Sequence, residues 1–185
     1  MPRESRSHQP AFGFVSTLES AEHGYFGGYL IVSPLGRPLE FHCTCPVRPS
    51  RAQAILYGPT LDAYLIGEQI AGSLLQAAKI VPRLILTDTA AILSARTRSR
   101  SPMVQLMEPL EGHEAVDSFG GQFETGGYKL QLPVGFEMEL SAVAELAAEL
   151  GANVDLVEPF GRIHEAIREA QRIGSRAVED HEQAA

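Results

Sequence analysis

Apolar residues fall into short runs and longer helical stripes along the chain, and their spacing predicts a mixed α+β fold. Ala11–Leu18 reads as a first strand. Tyr29-Leu30-Ile31-Val32 is a continuous apolar run suited to a strand buried on both faces. Prolines and glycine between Ser33 and Pro38 supply a turn, and Leu39 to Cys45 then alternates, which completes an antiparallel three-stranded meander. A helix is predicted from Arg51 to Tyr57. After Gly58-Pro59-Thr60, an unusually apolar helix follows from Leu61 to Ala78, with Glu68 and Gln69 in its polar remainder.

Leu84–Leu86 reads as a strand and Met103–Met107 as another. Thr89 to Arg96 is the ambiguous segment, read as a short helix, which makes a compact βαβ unit with parallel pairing. Residues 120–132 form a glycine-turn hairpin. Two amphipathic helices, Leu140–Leu150 and Pro159–Ile173, close the pattern, with Gly151 and Gly174 as their stops. The implied organisation is a flexible N-terminus (1–10), a main α/β domain (11–108), a smaller acidic lobe of hairpin and helices packed on it (109–174) and a flexible tail (175–185).

Composition narrows this picture. The 185 residues suffice for a sizeable core, and the net charge of −8 argues against general nucleic-acid binding. Charge is unevenly spread: Arg37–Met107 holds eight basic against four acidic residues, while Glu108–Glu158 holds eleven acids and one lysine, Lys129. Two cysteines make no disulfide framework, the chain opens on polar residues, and no apolar window is long enough to span a bilayer. A cytoplasmic, reducing compartment is therefore expected.

Candidate chemistry clusters around the third strand. On a regular strand Leu39, Phe41, Cys43 and Cys45 share one face, expected to be the core, and Glu40, His42 and Thr44 share the other. His42, Cys43 and Cys45 thus cannot converge on one metal, and no CxxC pair supplies further ligands, so neither a metal nor a cofactor is expected. The sharper alternative is a cysteine nucleophile, Cys45 or Cys43, with His42, His23 or His113 as base. The corner that follows is the most site-like piece. Prolines 46 and 49 stiffen it, Ser50 is a good N-cap, and Arg48 and Arg51 flank free helical amides suited to an anion.

Arg37 and the loop residues Arg96, Arg98 and Arg100 extend the list of partner-binding candidates. Asp88, at the carboxyl end of a strand, sits where α/β proteins place functional acids, but an N-cap is its expected role. The glycine pairs lack the lysine of a phosphate loop, and His164-Glu165 lacks the second histidine of a metalloprotease motif. Together these residues favour a non-catalytic binding or accessory subunit of a cytosolic, bacterial-type assembly, docking an acidic protein partner or anionic ligand at the Arg48–Arg51 corner. The alternatives are the cysteine-dependent enzyme and a module binding nucleotides or phosphorylated metabolites.

Overall fold

The computed structural model describes residues 10–107 and 121–182, with side chains of the last helix through Ile173. A seven-stranded mixed sheet runs through it. Strands β1 (Phe12–Ser20), β2 (Gly24–Val32) and β3 (Pro38–Cys43) form the antiparallel meander. Strands β4 (Leu84–Thr87) and β5 (Met103–Met107) run parallel to β1 and to each other. The hairpin β6 (Gln122–Thr125) and β7 (Tyr128–Gln131) continues the sheet, giving the order β3-β2-β1-β4-β5-β7-β6.

Two helical layers cover the sheet. On one face lie α3 (Leu140–Gly151) and α4 (Glu158–Glu182), packed on Phe12, Phe14, Leu30, Val32, Leu84 and Leu86. On the other face the residues of opposite parity, Val15, Tyr29, Ile31 and Ile85, meet Ile66, Ile70, Leu74 and Ile92 from the helical segments. Burial on both faces is why the central strands read as unbroken apolar runs. The helix predicted at Arg51–Tyr57 is α1 (Arg51–Tyr57), followed by a 3-10 turn; where the long helix is predicted from Leu61 to Ala78 the backbone is a π-helical stretch Ala63–Ala71 and then α2 (Gly72–Ala77). The ambiguous segment is a 3-10 helix, Ala90–Arg98.

Two expectations need correction. The face of β3 assigned to the core is the exposed one: Leu39 and Phe41 are 39% and 38% exposed, and Cys43 and Cys45 are both exposed free thiols. The alternation was sound, but β3 is the outermost strand, and the layer beside it binds the polar parity instead. Glu40 accepts the backbone amides of Lys79 and Ile80, both at 2.9 Å, and pairs with His42 Nε2 at 2.6 Å. Secondly, α4 does not stop at Gly174 but continues to Glu182. One interior glycine costs about 1 kcal/mol relative to alanine, which the helix formers after it can absorb.

No helix among the described residues is long and apolar enough to cross a membrane. The N-terminal residues 1–9 and the acidic loop with His113 lie outside the described residues, as do the last three positions of the tail.

Candidate functional site

Strand parity and helix packing bring three distant polar residues to the carboxyl edge of the central strands. The β1–β4 ladder ends at Val15 opposite Thr87, so Ser16 and Asp88 are the next positions on the two strands. Both share the parity of Phe14 and Leu86 and therefore face α4. That helix is seated by Phe160, Ile163 and Ile167, all buried, with Phe160 edge-on to Phe14 at 5.4 Å between ring centroids. Gly28 on β2 permits the close approach, since a Cβ there would lie 2.4 Å from Ile163. His164 is carried with the helix to the polar pair.

The hydrogen bonds fix donors and acceptors. Ser16 Oγ donates to Asp88 Oδ2 at 2.8 Å and also lies 2.8 Å from His164 Nε2. Because the hydroxyl has one proton and the carboxylate takes it, His164 must donate through Nε2–H. Its Nδ1 is then the ring nitrogen left for other partners. Asp88 Oδ1 accepts from Thr89 Oγ1 at 2.9 Å, so both carboxylate oxygens are held. Asp88 and His164 themselves are 3.9 Å apart.

Ser16 is fully buried, whereas the side chains of Asp88 and His164 remain 30% and 27% exposed. This is not a serine-nucleophile triad. There the histidine stands between acid and serine and takes the serine proton. Here serine stands between the other two, hands its proton to the acid and is closed to solvent. The arrangement instead presents one carboxylate and one imidazole outward, oriented from behind by a hydroxyl.

The residues singled out by sequence do not converge there. Arg48 is tied internally, donating Nη2 to the carbonyls of Ala21 and Glu22 in the β1–β2 turn. Tyr25 and Val47 exchange backbone bonds at 2.8 Å in each direction, which pins the corner to β2. Ser50 does cap α1: its hydroxyl accepts the Gln53 amide at 3.1 Å while Gln53 Oε1 accepts the Ser50 amide at 2.9 Å. The seven-residue helix thereby satisfies part of its own amino end. Arg51 is exposed, and among the described residues its side chain has no hydrogen bond or ion pair.

Arg96 pairs with Glu139 and lies 4.4 Å over the Phe136 ring, and Arg98 pairs with Glu68 at 2.7 Å. Arg37 and Arg100 are exposed, Arg37 in the β2–β3 turn and Arg100 just before β5. His42 is engaged by Glu40, so it is not poised as a base for either thiol. Asp88 is no N-cap, since its carboxylate is spent on Ser16 and Thr89. Among the described residues no three His, Cys, Asp or Glu side chains gather as a metal site.

The antiparallel meander, parallel central strands and flanking helices recur in solved structures. The chain aligns with human ENDOV over 91% of its length and 87% of that chain, at TM-score 0.54 and 16% identity. The catalytic domain of human Endonuclease V aligns at TM-score 0.51 and 14% identity, covering 89% of this chain and 85% of that one. Endonuclease V of Ciona intestinalis in complex with DNA gives TM-score 0.48 and 11% identity, over 78% of each chain. No protein-family model matches, and no curated protein matches in sequence.

The likeness to human ENDOV and to the catalytic domain of human Endonuclease V, with Arg48 bonded internally, overturns the accessory subunit docked through the Arg48–Arg51 corner. The same two likenesses speak against the expectation of a protein partner in preference to nucleic acid.

Proposed function

We propose that the protein acts on nucleic acid in the cytoplasm, presenting Asp88 and His164 to a sugar-phosphate backbone laid across the carboxyl edge of β1 and β4. The observation that carries this reading is the Ser16 hydroxyl bridging the two at 2.8 Å each. It sits where open sheets with parallel strands place their ligands. The Endonuclease V fold supports the substrate class, and the two exposed thiols support a reducing compartment.

In hydrolysis a water oxygen bonds to phosphorus as the P–O bond to the departing oxygen breaks, so the water loses a proton and the departing oxygen gains one. His164 is the group suited to move it, with Nε2–H committed to Ser16 and Nδ1 left for substrate. Ser16 is a positioning residue that fixes the ring, and Asp88 in turn fixes Ser16. Many nucleases hold divalent metals between clustered carboxylates. The described residues offer one carboxylate here and do not by themselves make that cluster, so no step is routed through a metal.

The test is incubation of end-labelled single-stranded and duplex DNA and RNA with the protein at low ionic strength, where phosphate contacts are strongest. Cleavage of at least one substrate is expected, and His164→Ala should slow it by about 100-fold or more. Absence of binding and cleavage with all four, or full activity in His164→Ala, would overturn the reading.

A further inference from the structure

A cavity lies on the other face of the sheet and at the other end of β4. Tyr29 on β2 is 1% exposed overall and lines this cavity, and no side chain or backbone group among the described residues hydrogen-bonds its hydroxyl. A hydroxyl on a cavity wall with no protein partner is free to donate to whatever enters. The ring reaches there because β1 carries Gly13 beneath it: a Cβ at that position would lie 2.8 Å from Tyr29 Cε2 and 3.0 Å from its hydroxyl oxygen. The glycine in an otherwise apolar central strand thus makes room for a phenol lying across it toward Ile85.

Tyr29 and Ile85 form part of the lining of a cavity of about 380 Å³, large enough for a small organic molecule. Leu75 and Ile80 add apolar wall, and Arg98 and Arg100 contribute cationic groups. The arginine loop is held in place from within. Ser99 Oγ donates to the Ser101 carbonyl at 2.8 Å and accepts the Ser101 amide at 3.1 Å, and Arg96 Nη1 holds the Ser99 carbonyl at 3.1 Å. Arg98 is neutralised by Glu68, but Arg100 has no ion-pair partner among the described residues. Glu40, the acid whose charge reaches the phenol, has its oxygens engaged by two backbone amides and His42.

We infer that this cavity is a binding site for a small organic anion, its phosphate or carboxylate taken by Arg100 and its body lying on the apolar wall, with an acceptor atom receiving the Tyr29 hydroxyl. The site is separate from the Asp88–His164 edge, and its existence does not depend on what that edge does.

Phenyl phosphate, benzoate and inorganic phosphate are suitable probes, read by titration calorimetry and thermal melting of the full chain. Phenyl phosphate or benzoate should bind and raise the melting temperature, the two arms separating phosphate from carboxylate preference, and inorganic phosphate should bind more weakly than the better of them. Arg100→Ala, on the surface, and Tyr29→Phe, which deletes only an unpartnered oxygen, should each fold normally and weaken binding by about tenfold. The inference is overturned if none of the probes binds the wild type, or if either variant binds as tightly as the wild type.

Discussion

Glu40 shows how one side chain decides which face of a strand is inside. Its burial pushes the carboxyl pKa up, but the hydrogen bond from His42 and those from the Lys79 and Ile80 amides outweigh it, leaving the pKa below the ordinary 4.5. A lowered carboxylate pKa contributes stability that is fully present above the unfolded value and is lost as pH falls through the folded one. Acid titration of unfolding should therefore show Glu40→Gln with a flatter fall in stability below about pH 4.5. A wild-type slope in that variant would mean these bonds do not bear on folding. In sequence this residue could be placed only on the strand face shared with His42 and Thr44, because its partners are backbone amides 39 and 40 positions away. Ser16 was equally hard to place, as a hydroxyl in an apolar strand announces a buried partner without naming it.

At the level of elements, periodicity was a good guide to kind and a poor one to detail. The meander, the parallel unit, the hairpin and the two amphipathic helices are all present, since each is written in local spacing of apolar residues and turn formers. The π-helical stretch was not legible, because it answers to packing against a neighbour. Gly67 within it lies so close to the 3-10 helix that a Cβ would stand 1.7 Å from Ser94 Oγ and 2.6 Å from the Ala91 carbonyl. Gly67→Ala should cost about 1–3 kcal/mol in urea unfolding. Adding Ser94→Ala should recover only part of that loss, since the carbonyl belongs to backbone and cannot swing aside. Complete recovery would show that the hydroxyl alone sets the spacing.

For the whole molecule, the sheet acts as a jig. Parallel pairing of β1 with β4 sets Ser16 beside Asp88 across 72 residues, and α4 brings His164 to Ser16 across 148. Such a site has no motif to scan for. Asp88 was visible as an acid at the end of a strand, but nothing local distinguished that from a helix cap. The arginines attracted attention because they are adjacent in sequence, and folding then paired Arg48, Arg96 and Arg98 with the protein's own oxygens.

The central claim is that nucleic acid meets the chain at this edge, and the imidazole resonances of His164 report on it directly. Titrating isotopically labelled protein with a short single-stranded oligonucleotide at low salt, the account predicts a saturable shift of the His164 ring signals. His42, held by Glu40 on the outermost strand, should stay unmoved. Binding that leaves His164 unshifted, or no binding at all with either a DNA or an RNA strand, would contradict it.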